Sequence, residues 1–166
     1  MRTLLLLRHA KSDYPPGVAD RERPLSARGE RDAAAAAQWL RAAFPVIDEA
    51  VVSPATRALQ TWSSVEMAVG VLSMRIDPRV YDDWGAHLLT VVEGLSAASR
   101  TAMIIGHNPG IEELALELSG SAPSNARARL VDKYPTCGIA VIRFPGEWSD
   151  QSSAELVMFS VPRGSA

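Results

Sequence analysis

Thr3-Leu4-Leu5-Leu6-Leu7-Arg8-His9-Ala10 decides the fold. A short apolar run of four leucines near the start of the chain reads as a buried strand. Arg8 and His9 stand directly at the strand's end, where burying them without a purpose is costly. The design recurs twice. Ala50-Val51-Val52 runs into Ser53-Pro54 and then Arg57, and Thr101-Ala102-Met103-Ile104-Ile105 runs into Gly106-His107-Asn108-Pro109. Open α/β sheets bind ligands outside the carboxyl ends of their strands. Three such ends would gather two arginines and two histidines into one cationic pocket.

The remaining pattern fits around these strands. Residues 13–25 form a long loop rich in proline and charge, and loops of this length are often functional. Ser26 is placed as an N-cap for a helix over 27–43, with Ala33, Ala36, Ala37, Leu40 and Phe44 on its apolar face. Residues 49–53 read as the second strand. Ser53-Pro54 has the form of a cap followed by a first-turn proline, opening a helix over 54–69 that Gly70 ends. Residues 74–83 read as extended or irregular, with a short strand near Met74–Ile76. A helix follows over 87–97 and the third strand over 101–106. Asn108-Pro109 repeats the cap signal before a helix that ends at Gly120. Residues 121–136 read as a loop, and 138–144 and 155–159 as two late strands, a candidate hairpin. The expected fold is α/β: a three-layer sandwich around a mainly parallel, mixed central sheet.

A chain of 166 residues fits one domain, residues 1–166, with a substantial core. A net charge of −2 gives no sign of a nucleic-acid partner, so attraction for an anion must be local. No apolar stretch approaches the roughly 20 residues that span a bilayer. One cysteine, Cys137, excludes an internal disulfide, and no signal segment is evident; both favour the cytoplasm.

The chemistry such a pocket supports is phosphoryl transfer. Arginine grips phosphate oxygens through two parallel hydrogen bonds and keeps its charge. Arg8 and Arg57 would supply two forks, and a protonated His107 would hold a third oxygen. His9 is left to attack phosphorus, forming a phosphohistidine that water hydrolyses. A leaving group needs a proton donor; Asp82 and Asp83 are the candidates. An Arg-His pair alone would read as structural, but three strand ends delivering Arg, His, Arg and His point to one site. His87 lies on a surface helix and is given no role. Three histidines without acidic partners at ligand spacing make a poor metal site, and no cofactor is expected. Cys137 and Arg143 satisfy the bare Cys-x5-Arg spacing of a cysteine phosphatase loop. The residues between them form a strand pattern that would spread the pair apart, so Cys137 reads as a packing residue.

Leu-Leu-Arg8-His9-Ala10, Ser53-Pro54-Ala55-Thr56-Arg57 and Gly106-His107-Asn108-Pro109-Gly110 together resemble the three signatures of the histidine phosphatase (phosphoglycerate mutase-like) superfamily. Glu22-Arg23-Pro24-Leu25-Ser26-Ala27-Arg28-Gly29 and the short length resemble the SixA-type phosphohistidine phosphatases within it. The resemblance spans nearly the whole chain. It implies His9 as nucleophile, with Arg8, Arg57 and His107 on the phosphate and Arg23 and Asn108 as further pocket residues. Val80-Tyr81-Asp82 is similar to the superfamily's Leu-x-Glu, which favours Asp82 over Asp83 as the acid. Ala10 departs from the usual glycine, which is tolerable unless that position needs positive φ. Asp77 to His107 contains no lid insertion, so an open site that admits a protein side chain is implied. The expected partner is a phosphorylated protein. A small phosphorylated metabolite (a sugar phosphate or nucleotide) and a non-catalytic phosphate-binding module are the alternatives.

Overall fold

The computed structural model describes residues 1–82, 85–120 and 124–165, with only the backbone of residues 85 and 86. Six strands form one sheet: β1 (Arg2–Arg8), β2 (Val46–Val52), β3 (Gly70–Ile76), β4 (Thr101–Gly106), β5 (Ile139–Phe144) and β6 (Glu155–Ser160). Their spatial order is β3-β2-β4-β1-β5-β6. The first four run parallel; β5 pairs antiparallel with β1, and β6 with β5, shifting register between Val141 and Ile142. The sheet is thus mainly parallel and mixed, as the sequence predicts.

Two helical layers cover it. One holds α1 (Ala27–Ala43) and α2 (Thr56–Glu66); the other holds α3 (Gly85–Glu93), α4 (Gly110–Glu117) and α5 (Asn125–Asp132). The leucine run shows why. Leu5 and Leu7 pack with Ala33, Leu40, Trp62 and Val65 of α1 and α2. Leu4 and Leu6 pack with Val91, Ile111, Leu114 and Leu130 on the opposite face. Successive strand residues point to opposite faces, so a strand with two covered faces needs an unbroken apolar run. All four leucines are completely buried.

The chain leaves β1 for α1 on one face, whereas β4 leads into α4 on the other. Neighbouring strands whose connections diverge in this way open a crevice at their carboxyl ends. His9 and His107 sit at that crevice, and the His9 amide continues the ladder by donating to the Gly106 carbonyl at 3.0 Å.

Helix starts divide into two groups. Ser26 caps α1, accepting from the Gly29 amide at 3.1 Å. Gly29 itself sits so close to the Lys11 carbonyl that a Cβ would collide with it. The two proline-marked starts differ from expectation. Thr56 begins α2 and Ala55 is its cap residue, so Ser53-Pro54 forms the turn before it. Pro109, after a cis Asn108–Pro109 bond, precedes α4, and no side chain at the cap position itself caps that helix among the described residues. Both polar residues are turned to the site instead, as described below. Gly120 takes the expected left-handed conformation, φ 71°.

Two further corrections concern 70–76 and 121–136. Gly70 does not close a helix with positive φ; it opens β3, a full edge strand. Leu72 is 74% exposed and Ile76 51%, so the strand lacks the alternation that marks a half-buried one. The stretch read as a loop contains α5, capped by Ser124, whose hydroxyl accepts from the Arg127 amide at 3.0 Å. That helix buries only Leu130, too little to register as an apolar stripe.

Candidate active site

The carboxyl ends of β1, β2 and β4 surround a cavity of ≈ 430 Å³. Arg8, His9, Arg23, Arg57, Asp82, His107 and Asn108 all line it. Sequence-distant residues singled out by type and position therefore share one pocket. Asp83 lies outside the described residues. His87 is exposed and does not line this cavity.

His9 is the most constrained member. Its Nδ1 lies 2.7 Å from the Ala10 carbonyl oxygen, which fixes that nitrogen as the N–H donor. The lone pair then resides on Nε2, to which Arg57 Nε donates at 3.3 Å. Burial, then the neighbouring His107, Arg57 and Arg8, hold the imidazole pKa down at about 3, against the opposing pull of the Ala10 carbonyl. At neutral pH the ring is uncharged, and its Nε2 lone pair accepts the Arg57 hydrogen bond instead of carrying a proton. Ala10 is fully buried without positive φ, so the absent glycine is no obstacle. Its amide donates to Thr61 Oγ1 at 3.0 Å, which ties the end of β1 to α2.

His107 stacks at a tilt on His9, ring centroids 4.9 Å apart. Its Nε2 lies 2.7 Å from Ser53 Oγ, and Nδ1 is buried without a hydrogen-bond partner among the described residues. Burial first, then Arg57 and Arg8, lower its pKa to about 4, partly countered by Asp20. The resting ring is therefore neutral rather than an imidazolium. Ser53, expected as a helix cap, instead orients this histidine while accepting from the Ala55 amide at 3.2 Å.

Arg8 Nη1 and Asn108 Nδ2 both donate to the Tyr134 carbonyl, at 2.8 and 3.1 Å. Asn108 Nδ2 also donates to Glu112 Oε2 at 2.9 Å. The Asn108 amide hydrogens thus brace the wall. Its Oδ1, buried without a partner among the described residues, is an acceptor and unsuited to a phosphate oxygen. Tyr134 is itself locked: its hydroxyl donates to the Leu6 carbonyl at 2.6 Å and accepts from the Ala140 amide at 3.1 Å. Arg23 donates from Nε to the Asp13 carbonyl at 3.1 Å and from Nη2 to Ser12 Oγ, with its guanidinium 3.6 Å from the Tyr14 ring centroid. Asp82 is an exposed carboxylate at the rim.

Asp20 and Tyr81 escaped the sequence reading as site residues, as did Lys11, Ser12, Tyr14 and Thr136 on the same lining. Asp20 lies in a 3-10 turn, Asp20–Glu22, and bonds to Arg23, Arg57 and Tyr81. Tyr81 sets its ring edge-on to His107 at 5.6 Å. The alternating charges of Asp20-Arg21-Glu22-Arg23 concealed the first, since such runs are usually solvated faces. Tyr81 carried no signal beyond its place before Asp82. Cys137 is buried, its thiol pKa pushed up to about 12 by burial, while Arg143 sits on β5. The two belong to no cradling loop. Cys137 has φ 60°, and its amide donates to the Arg8 carbonyl at 3.0 Å, so its backbone rather than its sulfur meets the site.

Residues 4–89 match the profile of the histidine phosphatase superfamily, branch 1. The chain belongs to that superfamily. An uncharacterised protein of Mycobacterium tuberculosis is 40% identical over 164 residues, covering 95% of this chain and 100% of that one. An uncharacterised chloroplastic protein of Arabidopsis thaliana is 32% identical, covering 90% of this chain and 70% of that one. Among solved structures, a protein of Nakamurella multipartitia provisionally assigned as phosphohistidine phosphatase SixA has TM-score 0.85 and 32% identity, covering 97% of this chain and 96% of that one. Protein histidine phosphatase SixA complexed with tungstate has TM-score 0.79 at 21% identity, covering 96% and 97%, a likeness of fold. Within the superfamily this chain is therefore of the SixA type, with a phosphatase's fold and family.

Proposed function

We propose that this phosphatase hydrolyses phosphohistidine on proteins through a covalent intermediate on His9. The observation that carries the reading is the neutral His9, with its Nε2 lone pair beside Arg57 in a pocket also lined by Arg8, Arg23 and His107. The guanidinium groups hold the phosphoryl oxygens and stabilise charge that spreads over them in the transition state. His9 Nε2 attacks phosphorus as the bond to the substrate nitrogen breaks, and that nitrogen takes a proton. Water then attacks the phosphoryl-His9, the Nε2–P bond breaks, and inorganic phosphate forms. A phosphate dianion would favour the charged form of His107, whose partnerless Nδ1 would then donate to it.

Asp82 is the proposed proton donor. Its exposure at the rim suits a substrate whose leaving group is itself a side chain on a protein surface. An N–P bond needs little help in breaking, so a solvent-exposed acid suffices. Tyr14, Asp20 and Arg23 of the loop 13–25 line the cavity with Tyr81, and Tyr14 is 70% exposed. The likeness to the SixA structures supports this substrate class.

A small phosphorylated metabolite is the second reading. A mycobacterial glucosyl-3-phosphoglycerate phosphatase shares the fold at TM-score 0.67 and 21% identity. The deciding experiment measures phosphate release from a histidine-phosphorylated protein, a phosphoserine peptide and a sugar phosphate, for wild type and His9→Ala. Release from phosphohistidine alone, lost in the variant, is the expected result. Faster release from the sugar phosphate would move the substrate to metabolites. No release from any of them would leave a phosphate-binding module.

A further inference from the structure

The pocket carries an anion of its own. Asp20 Oδ1 accepts from Arg23 Nη1 at 2.8 Å; its Oδ2 accepts from Arg57 Nη2 at 3.2 Å and from the Tyr81 hydroxyl at 2.9 Å. A carboxylate presents two oxygens to guanidinium groups much as a phosphoryl group does. Two of the arginines proposed to bind substrate are thus already engaged by a substrate-like group.

The engagement is built to be reversible. The Asp20 side chain is 57% exposed, so water receives it directly when it swings away. Asp77 shows the alternative. It is also a carboxylate between two arginines, Arg75 and Arg79, but its side chain is only 8% exposed and fixed in place. Burial opposes ionisation of Asp20, yet hydrogen bonds from Tyr81, Arg23 and Arg57 outweigh it and hold the pKa at about 2. The group is anionic at any working pH and does not serve as the resting proton donor.

We propose that Asp20 is an internal competitor for the phosphoryl site: its carboxylate holds Arg57 and Arg23 at rest, yields them to the phosphoryl oxygens of a substrate, and reclaims them as inorganic phosphate leaves. The inference rests on the reading of this pocket as a phosphoryl site. A ligand's apparent affinity falls by the fraction of pockets whose arginines are free to receive it. Inorganic phosphate must displace the carboxylate with only the phosphoryl pocket's own donors, Arg8 and His107 among them, to help. A phosphorylated protein brings further contacts along the rim. Asp20 therefore sets a threshold that favours bulky substrates over free phosphate and shortens product occupancy.

The test is calorimetric titration of wild type, Asp20→Asn and Tyr81→Phe with inorganic phosphate, at neutral pH and fixed ionic strength. Asp20→Asn is expected to bind about tenfold tighter, as if roughly nine resting pockets in ten hold the carboxylate on the arginines. Tyr81→Phe keeps every charge and removes only the hydroxyl that pins Oδ2, so it is expected to gain less, in the same direction. Wild-type binding with no gain in Asp20→Asn overturns the competitor and leaves the phosphoryl pocket standing. A gain in Asp20→Asn with none in Tyr81→Phe also overturns it, because loss of negative charge then accounts for the whole effect. Absence of phosphate binding in all three, each folded by circular dichroism, overturns the phosphoryl reading and the competitor together. If Asp20→Asn fails to fold, Tyr81→Phe alone decides: tighter binding supports the competitor and unchanged binding overturns it.

Discussion

Both the carboxyl ends of the parallel strands and the opposite side of the sheet bury charged groups, with different results. On β2, Glu49 is buried, accepting from the Ser96 amide at 2.8 Å and Ser99 Oγ at 3.0 Å, with Arg75 at 3.6 Å. Beside it, Asp48 accepts from the Arg100 and Thr101 amides at 2.7 and 2.8 Å. Each carboxylate has its donors in the fold. At the carboxyl ends, Arg23 and Arg57 share the half-exposed carboxylate of Asp20, and a buried His107 nitrogen has no hydrogen-bond partner among the described residues. Buried polar groups are normally satisfied. Glu49 and Asp48 are tied by donors of the fold itself, whereas the arginines at the carboxyl ends share a carboxylate that water can also receive.

The sharpest way to break this contrast is at the nucleophile. His9→Ala should cut turnover below about a hundredth of wild type while the protein stays folded. A larger residual rate would refute the covalent scheme. Next comes Arg57→Ala, for which kcat/KM should fall on the order of 100-fold, with kcat lowered and KM raised, because ground and transition states both lose a fork. Steady-state kinetics with unchanged constants would remove Arg57 from the site.

The other region predicts the reverse pattern. Glu49→Ala strands the Ser96 amide and the Ser99 hydroxyl and should cost about 1–3 kcal/mol in urea unfolding, while KM is unchanged. A change in KM would mean that the two regions are not separable. Smallest of all, Asp82→Asn should slow a phosphoester substrate more than a phosphohistidine one, since only the ester needs strong acid assistance. Equal slowing on both would show that Asp82 is not the acid.

The histidines also write the contrast into stability. Unfolded imidazoles titrate near 6.5, whereas His9 and His107 titrate at about 3 and about 4 in the fold. Below pH 6.5 the unfolded chain binds more protons than the folded one, so stability falls as pH drops from 6.5 toward 3. Urea midpoints measured across that window should decline, and His9→Ala should flatten the decline. An unaltered slope in the variant would mean that His9 is not held neutral by its surroundings.

The core strands and the main site residues were legible because their signals are local. The Leu4–Leu7 run, the strands into Ser53 and Gly106, and the polar residues at their ends need no tertiary knowledge to read. The edge strand β3 was read only as a short strand near Met74–Ile76 and the helix α5 was missed, because β3 is exposed along most of its length and α5 buries only Leu130, so neither carries a clear apolar period. The proline starts were misread because Ser53 and Asn108 have cap chemistry, but their side chains bond to His107 and Tyr134 from elsewhere in the chain.

By itself, then, the sequence determined the layer architecture and which residue types stand at the strand ends, because apolar period and strand-end placement are properties of neighbours along the chain. Only the tertiary structure decided the state of the site. The neutral His9, the Ser53–His107 bond, the Tyr134 carbonyl beneath Arg8 and the Asp20 carboxylate on Arg57 all arise between residues distant in sequence. Proton affinity and hydrogen-bond partnership depend on what folding brings within a few ångströms and on how much water it removes, and neither is written in the local order of residues.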